Sequence, residues 1–136
     1  MSIMALPVFA RTGATPVVTT TSSKISTKIA CIGAAVDARE TAIDTAMTAY
    51  TGSLNAAYAA RGTALSQAYS LTTMTGVRAA VKTAWSTFTV SVKTARSTWQ
   101  SARNTAWSAY RTAGNACKAP AGTGDGIKAS SEASGN

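Results

Sequence analysis

Two cysteines and a cluster of three carboxylates are the residue types in this chain that could do chemistry. Cys31 and Cys117 stand alone, without the CxxC spacing of a zinc site or a thiol redox centre. Asp37, Glu40 and Asp44 fall at i, i+3 and i+7, so they share one face of a helix. The sequence contains no histidine, which removes the commonest general base and metal ligand. We therefore expect no enzymatic activity, no catalytic residue, no cofactor and no metal ion.

The carboxylate cluster has two interpretations: a weak cation site, or ion pairs across a helical hairpin. If facing positions of the hairpin sum to about 148, Asp37 lies opposite Arg111. By the same register, Asp44 lies opposite Arg103. We favour the ion pairs, although exposed pairs of this kind stabilise a protein little.

These residues need elements to position them, and an eleven-residue repeat predicts helices. Three consecutive segments, which begin at Val81, Val92 and Arg103, align without gaps and share Thr-Ala at their third and fourth positions. Eleven residues make three helical turns, so residues at this spacing form a stripe along one side of a nearly straight helix. We interpret the aromatic residue at the eighth position as a packing residue rather than part of a cofactor-binding box. These residues are Phe88, Trp99 and Tyr110.

A buried stripe is predicted in both halves of the chain. In the second half, Val81, Trp85 and Phe88 lie at i, i+4 and i+7, the spacing of a core-facing strip. The first half carries two apolar sets with eleven-residue spacing. These are Ile32, Ile43, Leu54 and Leu65, and Val36, Met47, Tyr58 and Tyr69.

The register breaks at Leu71–Gly76, where a Thr-rich segment that ends in Gly is a suitable connection between helices. Met74 lies 43 residues after Cys31 and 43 residues before Cys117, so a hairpin folded there brings the cysteines together. We predict an all-α fold: an antiparallel, coiled-coil-like two-helix hairpin over residues 24–118, with helices at about 24–71 and 76–118. The predicted Cys31–Cys117 disulfide requires an oxidising compartment outside the cytoplasm.

The two ends of the chain are predicted to lie outside the hairpin. Residues 1–10, MSIMALPVFA, end in the small-residue pattern of a cleavage site, so we interpret them as the remnant of a signal peptide; a merely apolar N-terminus is the alternative. Residues 11–23 are a Thr-rich linker, and residues 119–136 are a disordered tail rich in Gly and Ser. No segment reaches the ~18 apolar residues of a membrane span. The expected location is secreted, periplasmic or cell surface.

A net charge of +8 favours polyanionic partners such as nucleic acid, anionic lipid or an acidic polymer. On an eleven-residue wheel, six basic residues of the second helix flank the same side of its aromatic stripe. The acids of the first helix can offset those near the disulfide, whereas the basic residues near the hinge have no evident partner. A basic helix could also lie on an anionic membrane if the hairpin opened, but the disulfide opposes opening. The candidate polyanion-binding residues are Arg61, Arg78, Lys82, Lys93 and Arg96.

The opposite side of the second helix carries an uncharged strip of Thr, Ser and Ala. Small residues let another helix approach closely, so this strip favours side-by-side assembly. Its regular threonines also resemble the flat face of Ala-rich helical antifreeze proteins, which makes ice binding a remote alternative. The first helix does not continue the pattern. The candidate assembly face consists of Thr83, Thr87, Thr94, Thr98 and Thr105.

Four segments, which include both cysteines, resemble exported Ala/Thr-rich helical proteins of ultrasmall candidate-phyla bacteria of the Patescibacteria type. The resemblance covers nearly the whole predicted hairpin. It implies an exported helical protein, and because no activity is established for that group, it carries over no functional residue. The segments are KISTKIACIGAAVDARE, ALSQAYSLTT, VRAAVKTAWSTF and ARSTWQSARNTAWSAYRTA…ACKAP.

The sequence as a whole predicts a non-enzymatic structural or interaction protein of the cell envelope. Its expected partners are a second copy of itself or another envelope protein, and no small-molecule substrate is evident. A dedicated binder of nucleic acid or another polyanion, acting through the basic second helix, is the alternative. Salt-dependent DNA binding would favour the binder, and a concentration-dependent oligomer without DNA affinity would favour assembly.

Overall fold

The fold consists of two long α-helices joined by a short connection. The computed structural model describes residues 18–124, with side chains described from residue 21 onward. Helix α1 spans Val18–Tyr69 and helix α2 spans Met74–Ala116. At 1.5 Å per residue, their lengths are ~78 Å and ~64 Å. The helices pack along each other, and no strand occurs in the described part of the chain. The predicted all-α hairpin is confirmed.

The connection ends at Thr73, which caps the N-terminus of α2. Its backbone is extended, with φ −116° and ψ 135°, and its hydroxyl accepts a hydrogen bond from the Gly76 N–H at 3.2 Å. The cap satisfies one of the N–H groups that the first turn of a helix leaves unpaired. A Cβ at position 76 would lie 2.8 Å from the Thr73 hydroxyl oxygen, so glycine suits this close contact. The connection, residues 70–73, overlaps the predicted Leu71–Gly76 segment; α1 ends and α2 begins two residues earlier than expected.

Small residues at eleven-residue spacing form the seam between the helices. Alanine has no side chain beyond Cβ, so the two backbones can approach closely along the whole seam. The packing therefore follows the repeat that the sequence carries. The seam consists of Ala35, Ala46, Ala57 and Ala68 of α1, and of Ala84, Ala95 and Ala106 with Cys117 on the α2 side.

The large buried side chains of the described residues lie between the middle of the hairpin and the disulfide. Trp99, Trp107 and Tyr110 pack there with Ile43 and small seam residues. Near the hinge, the predicted burial of Trp85 is wrong, because its ring lies at the edge of the seam and is 47% exposed. Tyr58 is 53% exposed for the same reason. Of the two apolar sets of α1, the one with Ile32 and Ile43 faces α2, whereas the set with Met47, Tyr58 and Tyr69 is largely exposed.

The disulfide closes the open end of the hairpin. Cys31 and Cys117 are bonded, with their Cα atoms 5.7 Å apart and a sequence separation of 86. Helix α2 ends beside this bond, where the Cys117 N–H bonds to the carbonyls of Ala113 and Gly114, and Lys118 takes a left-handed conformation with φ 51°. The predicted pairing of the cysteines is confirmed.

Both ends of the hairpin extend beyond their predicted limits. Residues 18–23, predicted as linker, belong to α1 because no Pro or Gly there ends the helix. Residues 119–124, predicted as disordered tail, form turns: the Thr123 N–H and hydroxyl both donate to the Pro120 carbonyl, and Gly124 lies against the Tyr110 hydroxyl. The signal-peptide remnant at 1–10, linker residues 11–17 and tail residues 125–136 lie outside the described residues.

The seam should be intolerant of larger side chains. Replacing Ala106 with Leu is expected to destabilise the hairpin by ~1–3 kcal/mol, because the added methylenes would force apart two closely packed helices. The matched control is Ala109→Leu, three residues along the same helix and exposed, which should change stability by less than about 0.5 kcal/mol. Urea unfolding of both variants gives the comparison. Equal midpoints would show that the seam is not closely packed.

Candidate anion-binding site

The charges of the hairpin are segregated along its length. We define the hinge half as residues 45–102; it contains five Lys or Arg residues and no Asp or Glu. The three acids of the described residues, Asp37, Glu40 and Asp44, all lie nearer the disulfide. The hinge half is therefore uniformly basic. Its cations are the five candidate residues Arg61, Arg78, Lys82, Lys93 and Arg96.

Four of these cations form a ladder along α2. Arg78, Lys82, Lys93 and Arg96 are all exposed, and the helix rises ~27 Å from the first to the last. Lys82 and Lys93 are eleven residues apart and so share one line of the helix. Lys93 and Arg96 border a shallow cavity of about 330 Å³ whose apolar wall includes Phe88.

The fifth cation, Arg61, lies between the helices in a cage of aromatic rings. Its guanidinium carbon is 4.8 Å from the ring centroid of Tyr58, 4.7 Å from that of Trp85 and 4.4 Å from that of Phe88. The rings contact one another edge-to-face, with Tyr58 and Phe88 centroids 4.9 Å apart. Such contacts stabilise a cation without occupying its N–H donors. We call this group the Arg61 cage.

A second, similar cage, with two aromatic rings instead of three, lies nearer the disulfide. The Arg39 guanidinium lies 4.1 Å from the Trp107 centroid and 4.7 Å from the Tyr110 centroid. Arg39 is only 5% exposed, and its Nε donates to the Glu40 carboxylate at 2.8 Å. We call this group the Arg39 cage.

The two cages are copies of one repeat unit. Arg39 and Arg61 are 22 residues apart on α1, and Trp107 and Trp85 are 22 residues apart on α2. The antiparallel helices therefore bring an arginine over a tryptophan and the aromatic residue three positions later in both cages, and Tyr58 adds a third ring to the Arg61 cage. Sequence reasoning missed both cages, because Arg61 was treated only as a surface charge. The usable signal was the matched 22-residue offset of Arg on one helix and Trp on the other.

The repeat halfway between the two cages has a different arrangement of arginine and aromatic residues. Tyr50 is eleven residues from both caged arginines, and its ring stacks on Trp99 with centroids 6.3 Å apart. Arg96 occupies the α2 position that Trp85 and Trp107 occupy in the cages. The arginine and the aromatic residue have thus exchanged helices here, and Arg96 is exposed.

The carboxylates follow the predicted pairing only in part. Asp37 and Arg111 form no ion pair among the described side chains, whereas Glu40 pairs with Arg39 of its own helix. The pairing of Asp44 with Arg103 stays a prediction. The three acids do not form a group that could hold a metal ion, and residues 18–124 contain no other such group.

The candidate assembly face proves to be concave. Thr83, Thr87, Thr94 and Thr98 line two adjacent open cavities of about 500 and 590 Å³, while Thr105 lies outside them. The opposite walls come from small residues of α1, which sequence reasoning did not assign to this face. A concave groove does not support the flat surface that ice binding needs.

Neither α1 nor α2 contains a stretch that is apolar enough to cross a membrane. Comparison of the chain with protein-family models, curated proteins and solved structures returns no match. The geometry of the hairpin is therefore the basis for assigning a function.

Proposed function

We propose that this chain is a non-enzymatic, exported interaction protein of the cell envelope whose hinge half binds a polyanion such as nucleic acid or an anionic polymer. One observation carries the proposal: an exposed ladder of four cations lies on α2 beside half-exposed aromatic rings, in a half of the hairpin without a carboxylate. The hinge half itself contains no acid to neutralise the ladder, so its positive potential is available to a ligand.

The chemistry of binding would combine two effects. Cations along a ~27 Å line neutralise successive charges of a linear polymer and release its counterions, which makes affinity fall steeply with salt. Exposed rings such as Trp85 and Tyr58 can stack on bases or sugars, and stacking of this kind tolerates many sequences. The disulfide would keep the ladder presented on a fixed rod rather than on a mobile chain.

The open groove supports assembly as a second role. It is formed by both helices, is lined mainly by Ala, Ser and Thr, and lies along the candidate assembly face. Close approach of another helix is possible where side chains are this small. Sedimentation over a range of protein concentrations tests this role separately from polymer binding.

Salt-dependent binding of a fluorescent single-stranded DNA oligonucleotide tests the proposed function. Replacing Lys82, Lys93 and Arg96 with Gln should weaken binding and flatten the plot of log K against log salt concentration by about two units, since each single-strand phosphate contact contributes a slope of ~0.7. All three residues are exposed, so the variant should remain folded.

The matched control removes the same charges from the disulfide half. In this control, Gln replaces Lys24, Lys28 and Arg111. The two triple variants therefore have the same net charge, and both lose two lysines and one arginine. This variant should bind nearly as tightly as the wild type. If both triple variants lose the same affinity, binding depends on net charge alone and the hinge half is not a site. An absence of DNA binding at low salt would restrict the proposal to other anionic polymers, tested with poly-glutamate in the same assay.

A further inference from the structure

The two arginine cages differ in one respect that points to a ligand. Arg39 has an internal carboxylate partner, Glu40, at the next position of α1. The residue that follows Arg61 is Gly62, and Arg61 forms no ion pair or hydrogen bond with any residue between 18 and 124. The Arg61 cage therefore keeps the arginine over a tryptophan and a second ring but has no carboxylate partner among the described residues.

The residues around the Arg61 cage are also more basic than the residues around the Arg39 cage. The three acids near the Arg39 cage are replaced, two repeats later, by the uncharged residues Ala59, Gly62 and Ser66. On α2, two neutral residues near the Arg39 cage, Gln100 and Asn104, correspond to Arg78 and Lys82 near the Arg61 cage. Arg103 and Arg111 near the Arg39 cage correspond to the uncharged Val81 and Thr89, but the loss of three acids and the gain of two bases outweigh this, so the Arg61 cage has the more positive surroundings.

The Arg61 cage also has room for such an anion. Apart from its chain neighbours and the backbone of its own helix, a Cβ at Gly62 would have no atom within 4 Å, so nothing crowds the point from which the Glu40 side chain extends in the Arg39 cage. Arg61 is partly exposed, whereas Arg39 is buried. The rings hold the guanidinium in place, which lowers the entropy that is lost when it binds a planar or tetrahedral oxyanion through several N–H groups.

We propose that the Arg61 cage is a binding site for one oxyanion group, phosphate or carboxylate, in the position that the Glu40 carboxylate takes in the Arg39 cage. The inference deepens the proposed function, since it names where one charged group of the polyanion binds. It requires no change in the hairpin, because the cage is already assembled.

The decisive variant is Gly62→Glu, which supplies the missing carboxylate next to Arg61. Its matched control is Gly52→Glu, because Gly52 is also helical with open space at its Cβ but follows Thr51 rather than an arginine. Both variants change the net charge equally and both replace a helical glycine with a better helix former, so neither should unfold the protein.

Binding of inorganic phosphate and of acetate is measured by NMR from the shifts of the Arg61 Nε–H and Trp85 indole N–H signals. Both anions should shift these signals in the wild type and in Gly52→Glu. Gly62→Glu should weaken binding about tenfold or more, because its own carboxylate occupies the site. Arg61→Lys should also weaken it, since an ammonium lacks the planar set of donors. The two anions report separately whether phosphate or carboxylate is preferred.

The outcomes separate this site from the proposed function. Suppose that the DNA oligonucleotide binds the wild type, and that it binds Gly62→Glu and Gly52→Glu with the same affinity. The cage is then not a site, although the cation ladder still is. If phosphate or acetate shifts Arg61 while no polymer binds, the cage stands and the polyanion function fails. If neither anion shifts the Arg61 signal at saturating concentration, the inference is overturned.

Discussion

Replacing Cys31 and Cys117 with Ser is expected to lower the free energy of unfolding by about 4.5 kcal/mol. The bond closes a loop of 86 residues. By restricting the conformations of the unfolded chain, a loop of this size raises the free energy of the unfolded state by about that amount. The effect should be large relative to the total, because two helices with a narrow alanine seam bury little apolar surface.

Urea unfolding followed by circular dichroism checks this result, with the wild type in excess reductant as the control. Reduced wild type and double-serine protein should unfold at the same midpoint, well below that of the oxidised protein. The reduced hairpin would then be only marginally stable. Its dependence on the disulfide fits the proposed export to an oxidising compartment. An unchanged midpoint in the double-serine protein would mean that the helices hold together without the bond.

Trp107→Ala is expected to cost ~3–5 kcal/mol of stability, whereas Trp85→Ala should cost about 1 kcal/mol. The two tryptophans occupy the same position of the repeat, each edge-to-face with the aromatic residue three positions later and each beside a caged arginine. Trp107 is 6% exposed and belongs to the core cluster, but Trp85 is half-exposed. Deleting Trp107 also removes a ring from the buried Arg39.

Each variant is the control for the other, because the substitution is identical and only the burial differs. The measurement is the urea midpoint at fixed slope for both proteins. Equal losses would show that the two halves of the hairpin are equally packed, which contradicts the placement of the large buried side chains near the disulfide. A loss confined to Trp107→Ala would identify the disulfide half as the stabilising half and leave the hinge half free for binding.

The fold followed from the sequence because its determinants are periodic. The eleven-residue spacing of aromatic residues in the second half and of apolar residues in the first half placed both helices. The equal distances of Cys31 and Cys117 from Met74 placed the disulfide. The start of α1 could not be placed, because Thr and Ser favour linkers in isolation. As an extension of a packed helix they can stay helical, and the Thr27 hydroxyl then bonds to the carbonyl of Ser23 four residues earlier.

The site was predicted only in part. Net charge and spacing identified the five cations, but the register gives facing positions only to within about a turn. It therefore could not show that Arg61 lies against three aromatic rings or that Arg39 forms an ion pair with Glu40. The exposure of Trp85 was also hidden, because helical spacing does not tell a seam residue from one at its edge. Side-chain direction decides both questions, and it depends on packing between the helices.

The most direct test of the account is an NMR titration of the oxidised, full-length protein with a single-stranded DNA oligonucleotide at low salt. The proposed function predicts that shifted backbone amides cluster in the hinge half, around the Arg78–Arg96 ladder of α2 and around Tyr58–Arg61 of α1. Amides near the disulfide should keep their positions. Shifts spread evenly over both halves, or concentrated near Cys31 and Cys117, would contradict the assignment of the hinge half as the binding surface.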